Sequence, residues 1–300
     1  MGKCLVIGST VCDIMIYLDT LPGRQGDAHI EEQVWSVGGC AFNVTSVLHH
    51  LGIPYDFISP LGRGVYGDFV RSELARIGIE SPVQLDGVNG CCYCFVEADG
   101  ERTFLSDHGV EYQFDAVWLE NYALDTYDFI YVCGLEVEEP TGRDLVDFLQ
   151  EVTSPILFAP GPRGHLIEKS RLEALLDRSP ILHLNEIEAC QLAGVKELKE
   201  AISLLHRRKG QLVIVTQGEE GVLAYDGEWY QQVSYPSQVV DTIGAGDSHV
   251  GGFMAARSSG HTVAQSLDFA NRVSSHVVST KGIHLPSHLY KELKSYLKEP

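Results

Sequence analysis

The residues from Asp241 to Met254 read Asp-Thr-Ile-Gly-Ala-Gly-Asp-Ser-His-Val-Gly-Gly-Phe-Met. A strand-like segment, residues 238–240, leads into the small-residue turn Gly244-Ala245-Gly246, and a helical apolar pattern follows through Ala256. A glycine turn that opens a helix is an anion site: the first backbone N–H groups have no intrahelical partner and the helix dipole adds positive charge. Asp247 stands at that positive end, where a carboxylate is held ionised and is able to accept a proton. A phosphate cradle beside a base points to phosphoryl transfer. The same residues also read as an ordinary strand-to-helix connection capped by an aspartate.

Further polar groups fall at the ends of predicted strands. Asp13 follows the first strand, and Gly38, Gly39 and Asn43 begin the first helix. Asn185 and Glu188 follow a later strand, Thr216-Gln217-Gly218 another, and the Gly244–Asp247 turn the last. Asn185 and Glu188 are three apart at a helix start, so both project from one face. Such oxygens suit Mg²⁺, which keeps most of its waters, and they suit a capping box equally well. Any one of these groups could be turn chemistry, but five of them at one edge of a sheet describe a site.

The elements that must position them are legible in outline. The first strand covers Leu5 to Gly8, extended segments follow at Ile14–Leu18 and His29–Val37, and a helix runs to Gly52. Cys92–Glu97 and Thr103–Ser106, joined through Asp99-Gly100, read as a β-hairpin. These four short strands stand apart from the alternation and predict a small second sheet, a lid drawn from about residues 14–37 and 90–107. From Tyr127 onward strands and helices alternate, with a hairpin at Val222–Tyr225 and Trp229–Val233, two long helices and a charged terminal helix. That alternation predicts an α/β fold with a mainly parallel sheet between helical layers, and ligands beyond the carboxyl ends of its strands. Residues 1–300 are expected to form one domain, without repeats or linkers.

Composition narrows the partners. The 300 residues are 44% hydrophobic, enough for a substantial core, and no apolar run reaches the ~18 residues of a membrane span. With 41 acidic and 22 basic residues the formal charge is −19, a field that disfavours nucleic acid and anionic membranes. The amino terminus passes directly into a strand pattern, which leads us to expect a cytoplasmic protein. The eight cysteines include one C-x-x-C spacing, Cys91 to Cys94, but that run alternates as a strand would, and the set reads as free thiols of a reducing compartment.

Taken together, these motifs resemble the ribokinase-type (PfkB) family of carbohydrate kinases. Gly38-Gly39-x-Ala41-x-Asn43 with Leu51-Gly52 resembles that family's amino-terminal signature, and Asp241-Thr242-x-Gly244-Ala245-Gly246-Asp247 its carboxy-terminal one. The intermediate motifs are Asn185-x-x-Glu188, Thr216-x-Gly218-x-x-Gly221 and Asn271. The resemblance spans residues 3–286 and implies a ribokinase-like three-layer α-β-α sandwich with a β lid. It implies ATP as phosphoryl donor and a sugar or a nucleoside as acceptor. Asp247 would be the base, and the amides of Gly244, Ala245 and Gly246 the anion hole. Glu188 and Asn185 would organise Mg²⁺, and Asn185, Thr216, Gly218, Gly221 and Asn271 would line the nucleotide site. Asp13, Gly38, Gly39 and Asn43 would hold acceptor hydroxyls. A K⁺ ion would lie near Asp241, Ile243, Val277, Thr280 and Gly282, and the lid could pair across a homodimer.

The chain departs from the family where many members carry Asp-x-Asn-x-Arg after a central strand. Here the segment is Ala159-Pro160-Gly161-Pro162-Arg163. Arg163 could contact an anionic substituent or be an exposed loop arginine. Glu136 could reach a hydroxyl, or it could belong to a solvated acidic run, Glu136-Val137-Glu138-Glu139. His249 is expected to point away from Asp247 and pack, and Arg24 and His29 lie in the lid region.

Overall fold

Short apolar runs become the centre of an eight-stranded sheet in the computed structural model, which describes residues 2–282 and 284–298. The body strands are β1 (Cys4–Ile7), β4 (Tyr55–Ile58), β9 (Phe129–Cys133), β10 (Ile156–Ala159), β11 (Ile181–Asn185) and β12 (Val213–Thr216), with β13 (Val222–Tyr225) and β14 (Trp229–Gln232). Their spatial order is β14-β13-β12-β11-β10-β9-β1-β4. Neighbours pair parallel from β4 through β12, and the β13–β14 hairpin adds an antiparallel edge.

Side-chain alternation along each strand divides the core between two faces. Leu5, Ile7, Ile130 and Val132 pack on one side with Leu145 and Leu149 of α4 (Gly142–Glu151), Leu175 of α5 (Lys169–Asp177) and Ile202 of α7 (Leu198–Lys209). Cys4, Val6 and Tyr131 pack on the other with α1 (Cys40–Leu51), α8 (Ala245–Ser258) and α9 (Val263–Val278). The result is the expected three-layer sandwich. Gly52 closes α1 in the left-handed region (φ 78°), where glycine carries no Cβ penalty.

Helix α8 is held in close. A Cβ on Gly251 would lie 2.7 Å from Val47 Cβ of α1, and one on Gly252 would lie 3.0 Å from Ala270 Cα of α9. Two adjacent glycines therefore let one helix approach both neighbours, and that depth fixes where its N-terminus emerges.

The lid is a separate four-stranded sheet in the order β3 (Glu32–Gly38), β2 (Val11–Tyr17), β7 (Cys91–Val96), β8 (Arg102–Asp107). The strands fall at or near the segments expected of it, with β2 beginning at Val11, ahead of residue 14. Asp13, however, sits inside β2 opposite Ser36 and not in a loop after β1. The buried residues Cys12, Ile14 and Ile16 set a period of two that begins the strand at Val11 and carries Asp13 on its other face.

Three other segments differ from expectation. Residues 238–240 are irregular, with Val239 and Val240 exposed, because the amides of Val240 and Asp241 both bond Val278 O instead of a strand neighbour. The Gly244–Asp247 turn thus follows a crossing loop from β14. Leu61–Arg63 and Gln84–Val88 form a short parallel pair, β5 and β6, with too few buried residues to show as strands in the sequence. Residues 110–126 contain three short 3-10 turns.

Gly251→Val is expected to lower unfolding stability by about 2–3 kcal/mol, since the added side chain overpacks the α1–α8 contact. Urea denaturation followed by far-UV circular dichroism measures it; an unchanged midpoint would show that α8 need not sit this deep.

Candidate active site

Helix α8 begins at Ala245 behind Gly244, which adopts φ 69° and turns the chain from the crossing loop into the helix. Ser248 N–H closes the first helical bond onto Gly244 O at 2.8 Å, and Ala245 N–H donates to Thr242 O at a longer 3.3 Å. The amides of Gly246 and Asp247 have no carbonyl one turn back. Asp247 lies in this first turn, and its Oδ2 accepts a hydrogen bond of 2.8 Å from Asn43 Nδ2 of α1. The two signature segments, 204 residues apart, are joined by that bond.

A cleft of about 910 Å³ opens in front of this turn. Asp247, Gly244 and Gly246 line it with Asn185, Glu188, Thr216 and Arg163, and the lid contributes Cys92, Phe104, Leu105 and Ser106. The carboxyl ends of β9, β10, β11 and β12 all reach it, as the fold requires. A cavity of similar size, about 940 Å³, lies at the opposite strand ends around Asp128, Pro155 and Leu212 and gathers none of the predicted groups.

The carboxylates in this region perturb one another. Burial pushes Asp247 up to about 6; the hydrogen bonds from Asn43 and Cys40 oppose that rise, and the charges of Glu136 and Glu188 add to it. The helix end alone would have held it ionised, but withdrawal from water outweighs the dipole. Asp13 is pushed up to about 7 by burial and by the neighbouring charge of Asp247. Gly38 lies against it: a Cβ there would fall 1.8 Å from Asp13 Oδ2. Gly39, at φ 97°, starts α1 with no room for a side chain, since its Cβ would meet Ser9 O at 2.6 Å. Asp13, Gly38, Gly39 and Asn43 therefore gather beside Asp247, although none of the four is among the described residues lining the cleft.

Asn185 and Glu188 make a complete capping box at the start of α6 (Glu186–Ala193), with Glu188 N–H to Asn185 Oδ1 at 2.8 Å and Asn185 N–H to Glu188 Oε2 at 3.0 Å. Glu188 nonetheless lines the cleft, and burial raises its pKa. Capping and ligand binding are compatible here because each carboxylate oxygen keeps a second lone pair. A carboxylate facing the cleft without a cation among its described partners suits a hydrated divalent ion. On the nucleotide side, Thr216 lines the cleft and donates to Leu184 O at 3.3 Å. Gly218 and Gly221 shape the turn after β12, both at positive φ. Asn271 of α9 is buried with its amide donating to Gln232 O and Val233 O at 3.0 Å, so it braces the end of β14.

Several readings left open in the sequence now resolve. Glu136, in α3 (Gly134–Glu138), is buried: Oε1 accepts from Ser9 N–H at 2.7 Å and Oε2 from Cys133 at 2.8 Å. Both oxygens are engaged inside the protein and Glu136 is not among the described residues lining the cleft, while the run is not solvated, since Glu138 pairs with Arg163 and Glu139 with His108. Arg163 lines the cleft while bonding Glu138 Oε2 through Nε at 2.8 Å. His249 is buried and meets His183 of β11 at 2.9 Å; burial lowers the pKa of both, so the pair is neutral. Arg24 and His29 are exposed between β2 and β3. All eight cysteines are free, five of them buried.

Asp241 Oδ1 accepts from Ile243 N–H at 2.9 Å and Oδ2 from Gly282 N–H at 3.1 Å, and Arg102 of the lid lies 3.0 Å from Oδ1. Val277 O accepts both the amide and the hydroxyl of Thr280, at 3.0 and 2.9 Å, and that hydroxyl also reaches Gly282 O at 3.3 Å. Sequence reasoning missed Cys40, Tyr112, Tyr131, His108 and Arg102. Tyr131 gave one signal, a phenol inside the apolar run of β9; the others became neighbours of the site only through folding.

Comparison with known proteins decides the family. The family model described as "pfkB family carbohydrate kinase" matches residues 1–288. The chain belongs to the PfkB family of carbohydrate kinases. It is 35% identical over 285 residues to the uncharacterized sugar kinase YegV of Escherichia coli K12, covering 93% of this chain and 89% of that protein. It is 25% identical over 269 residues to a cytidine kinase of Thermococcus kodakarensis, covering 88% and 92%. In fold it matches the ribokinase of Thermotoga maritima with a TM-score of 0.85 at 20% identity, over 100% of both chains. As a PfkB-family enzyme it is a phosphotransferase, an ATP-dependent small-molecule kinase of the sugar-or-nucleoside kind. Among the described residues, no helix is long and apolar enough to cross a membrane.

The raised carboxyl pKa values carry a stability cost at neutral pH. For a group whose folded pKa exceeds its unfolded value, the stabilisation by proton binding is complete below about 4 and is lost as pH rises through the folded pKa. Asp13→Asn should therefore melt several degrees above wild type at pH 8, and the gap should shrink towards pH 4. Thermal unfolding of the ligand-free protein tests it; a gap independent of pH would refute the shift.

Proposed function

We propose that this PfkB-family kinase transfers the γ-phosphoryl group of ATP to a hydroxyl of a sugar, with Asp247 as the general base. The observation that carries the reading is the Asp247 carboxylate, held by Asn43 at 2.8 Å beside the open amides of a helix N-terminus. With a pKa near 6, Asp247 is largely ionised at pH 7 yet basic enough to take a proton as the hydroxyl attacks. A sugar hydroxyl gains little from early deprotonation, so holding it in line with the phosphorus matters most. Asn43 Oδ1 is buried without a protein partner and would accept an acceptor hydroxyl, with Asp13 and the Gly38–Gly39 backbone alongside.

The amides of Gly244, Ala245 and Gly246 would stabilise charge on the transferred group. The long Ala245 bond is weak enough to be exchanged for a phosphate oxygen. Glu188 and Asn185 would hold Mg²⁺ through its water shell, and the ion would neutralise the nucleotide phosphates. Thr216, Gly218 and Gly221 would lie along the nucleotide, with Asn271 bracing the wall behind them. Phe104 and Leu105 of the lid would cover the acceptor and exclude water, which otherwise competes for the phosphoryl group. Arg163 would be orienting at most, because Glu138 already neutralises it. The sugar assignment rests on the similarity to YegV and on the polar groups gathered beside Asp247.

A coupled ADP-release screen over pentoses, hexoses, sugar phosphates and nucleosides tests the acceptor. Turnover of nucleosides alone would replace the sugar reading. Asp247→Asn is expected to lower kcat by about 10³-fold or more while leaving ATP affinity within about twofold; near wild-type turnover would remove Asp247 as base. Glu188→Gln should raise the Mg²⁺ concentration for half-maximal rate several-fold, and an unchanged Mg²⁺ titration would remove Glu188 from the metal.

A further inference from the structure

Asp241 opens the anion turn, and its carboxylate is almost fully buried, at 6% exposure. A buried carboxylate needs a positive partner or a full set of hydrogen bonds. Here both are present within the protein. The amides of Ile243 and Gly282 each bond one oxygen, and the guanidinium of Arg102 supplies the charge at 3.0 Å. A second Arg102 nitrogen donates to Thr242 Oγ1 at 3.2 Å, so the planar fork spans two consecutive residues of the loop that ends in Gly244. Arg102 is the first residue of β8 and belongs to the lid, whereas Asp241 and Thr242 belong to the body.

We propose that Arg102 takes the place of the monovalent cation that the resemblance implies beside Asp241, and that it latches the lid hairpin to the anion turn. The proposed ligands do not fit a free ion. The only carboxylate among them already faces a fixed cation, and a second cation beside it would meet repulsion at close range in a poorly hydrated pocket. The carbonyl of Val277 already accepts both the amide and the hydroxyl of Thr280. An independent contact ties the same two bodies from the other side. Lys281, next to Gly282, lies over the ring of Tyr17 at 4.3 Å and 3.7 Å from Glu32, both on lid strands. The cation of the site is thus covalently part of the lid. Lid position and the conformation of the anion turn become one equilibrium, where a diffusible ion would leave them independent.

This inference rests on the phosphotransferase reading of the Gly244–Asp247 turn, and its test has an arm free of that reading. In the first arm the ligand-free wild type is melted in tetramethylammonium chloride and in KCl at equal ionic strength. The expected result is the same midpoint in both; stabilisation specific to K⁺ would overturn the proposal whatever the acceptor proves to be. In the second arm kcat is measured with an acceptor found by ADP release. Wild type should change less than about twofold on adding K⁺, while Arg102→Ala should lose about tenfold or more and recover part of the loss with K⁺ or guanidinium. K⁺ activation of wild type beyond twofold, or an Arg102→Ala enzyme within twofold of wild type, overturns it. Arg102→Lys keeps the charge but not the fork, and it should fall between the two with no K⁺ dependence; K⁺ activation of this variant also counts against the proposal. Absence of ADP release from wild type under every condition would instead be a failure of the kinase reading.

Discussion

The structure depends on how deeply α8 is seated. Gly251 and Gly252 remove the side chains that would hold it away from α1 and α9, and the helix passes through the core with Phe253, Met254, Ala255 and Ala256 fully buried. Because the helix is rigid and its axis fixed, its first turn can emerge at only one place. That place brings Asp247 within 2.8 Å of Asn43 and the open amides to the cleft. The geometry of the proposed site follows from packing made a full turn or more away from it.

A strongly acidic protein that handles phosphate must keep its own charges from repelling the ligand. On the proposed reading this chain would do so by offering peptide dipoles and not side-chain cations. Arg163, which lines the cleft, and Arg102, at the loop that leads into the anion turn, are neutralised by Glu138 and Asp241. The carboxylates at the site, Asp13, Asp247, Glu136 and Glu188, are all raised by burial. Without ligand the site is therefore held in an unfavourable electrostatic state, which a divalent ion would relieve. The surrounding core maintains it, as is common where function and stability conflict.

Much of the fold was legible because the strands are short apolar runs and their alternation separates two faces. The lid was legible because Asp99-Gly100 marks a hairpin outside the β–α alternation. What escaped had a local pattern that misled. Val239 and Val240 look like strand, but their amides are taken by Val278 and their side chains stay exposed. Glu136 offered a hydroxyl contact or a solvated run as alternatives, and a five-residue helix instead turns it inward onto Ser9. Asn185 and Glu188 offered cap or ligand as alternatives; one carboxylate has lone pairs enough for both.

The sequence by itself determined the local geometry on which the proposed chemistry rests. A glycine turn, an aspartate and a helix start place amides and a carboxylate together, because that arrangement is fixed within seven residues of backbone. It also marked Asn185 and Thr216 at strand ends, but not that Asp13 lies inside β2 or that the Gly244 turn follows a crossing loop. Only the tertiary structure decided which distant groups act on that carboxylate: Asn43 holds it, burial lifts its pKa, and Arg102 reaches across from the lid to the aspartate six residues before it. These are contacts between residues separated by more than a hundred positions. Local sequence constrains backbone geometry, but the depth of a helix and the register of a second sheet determine which side chains meet.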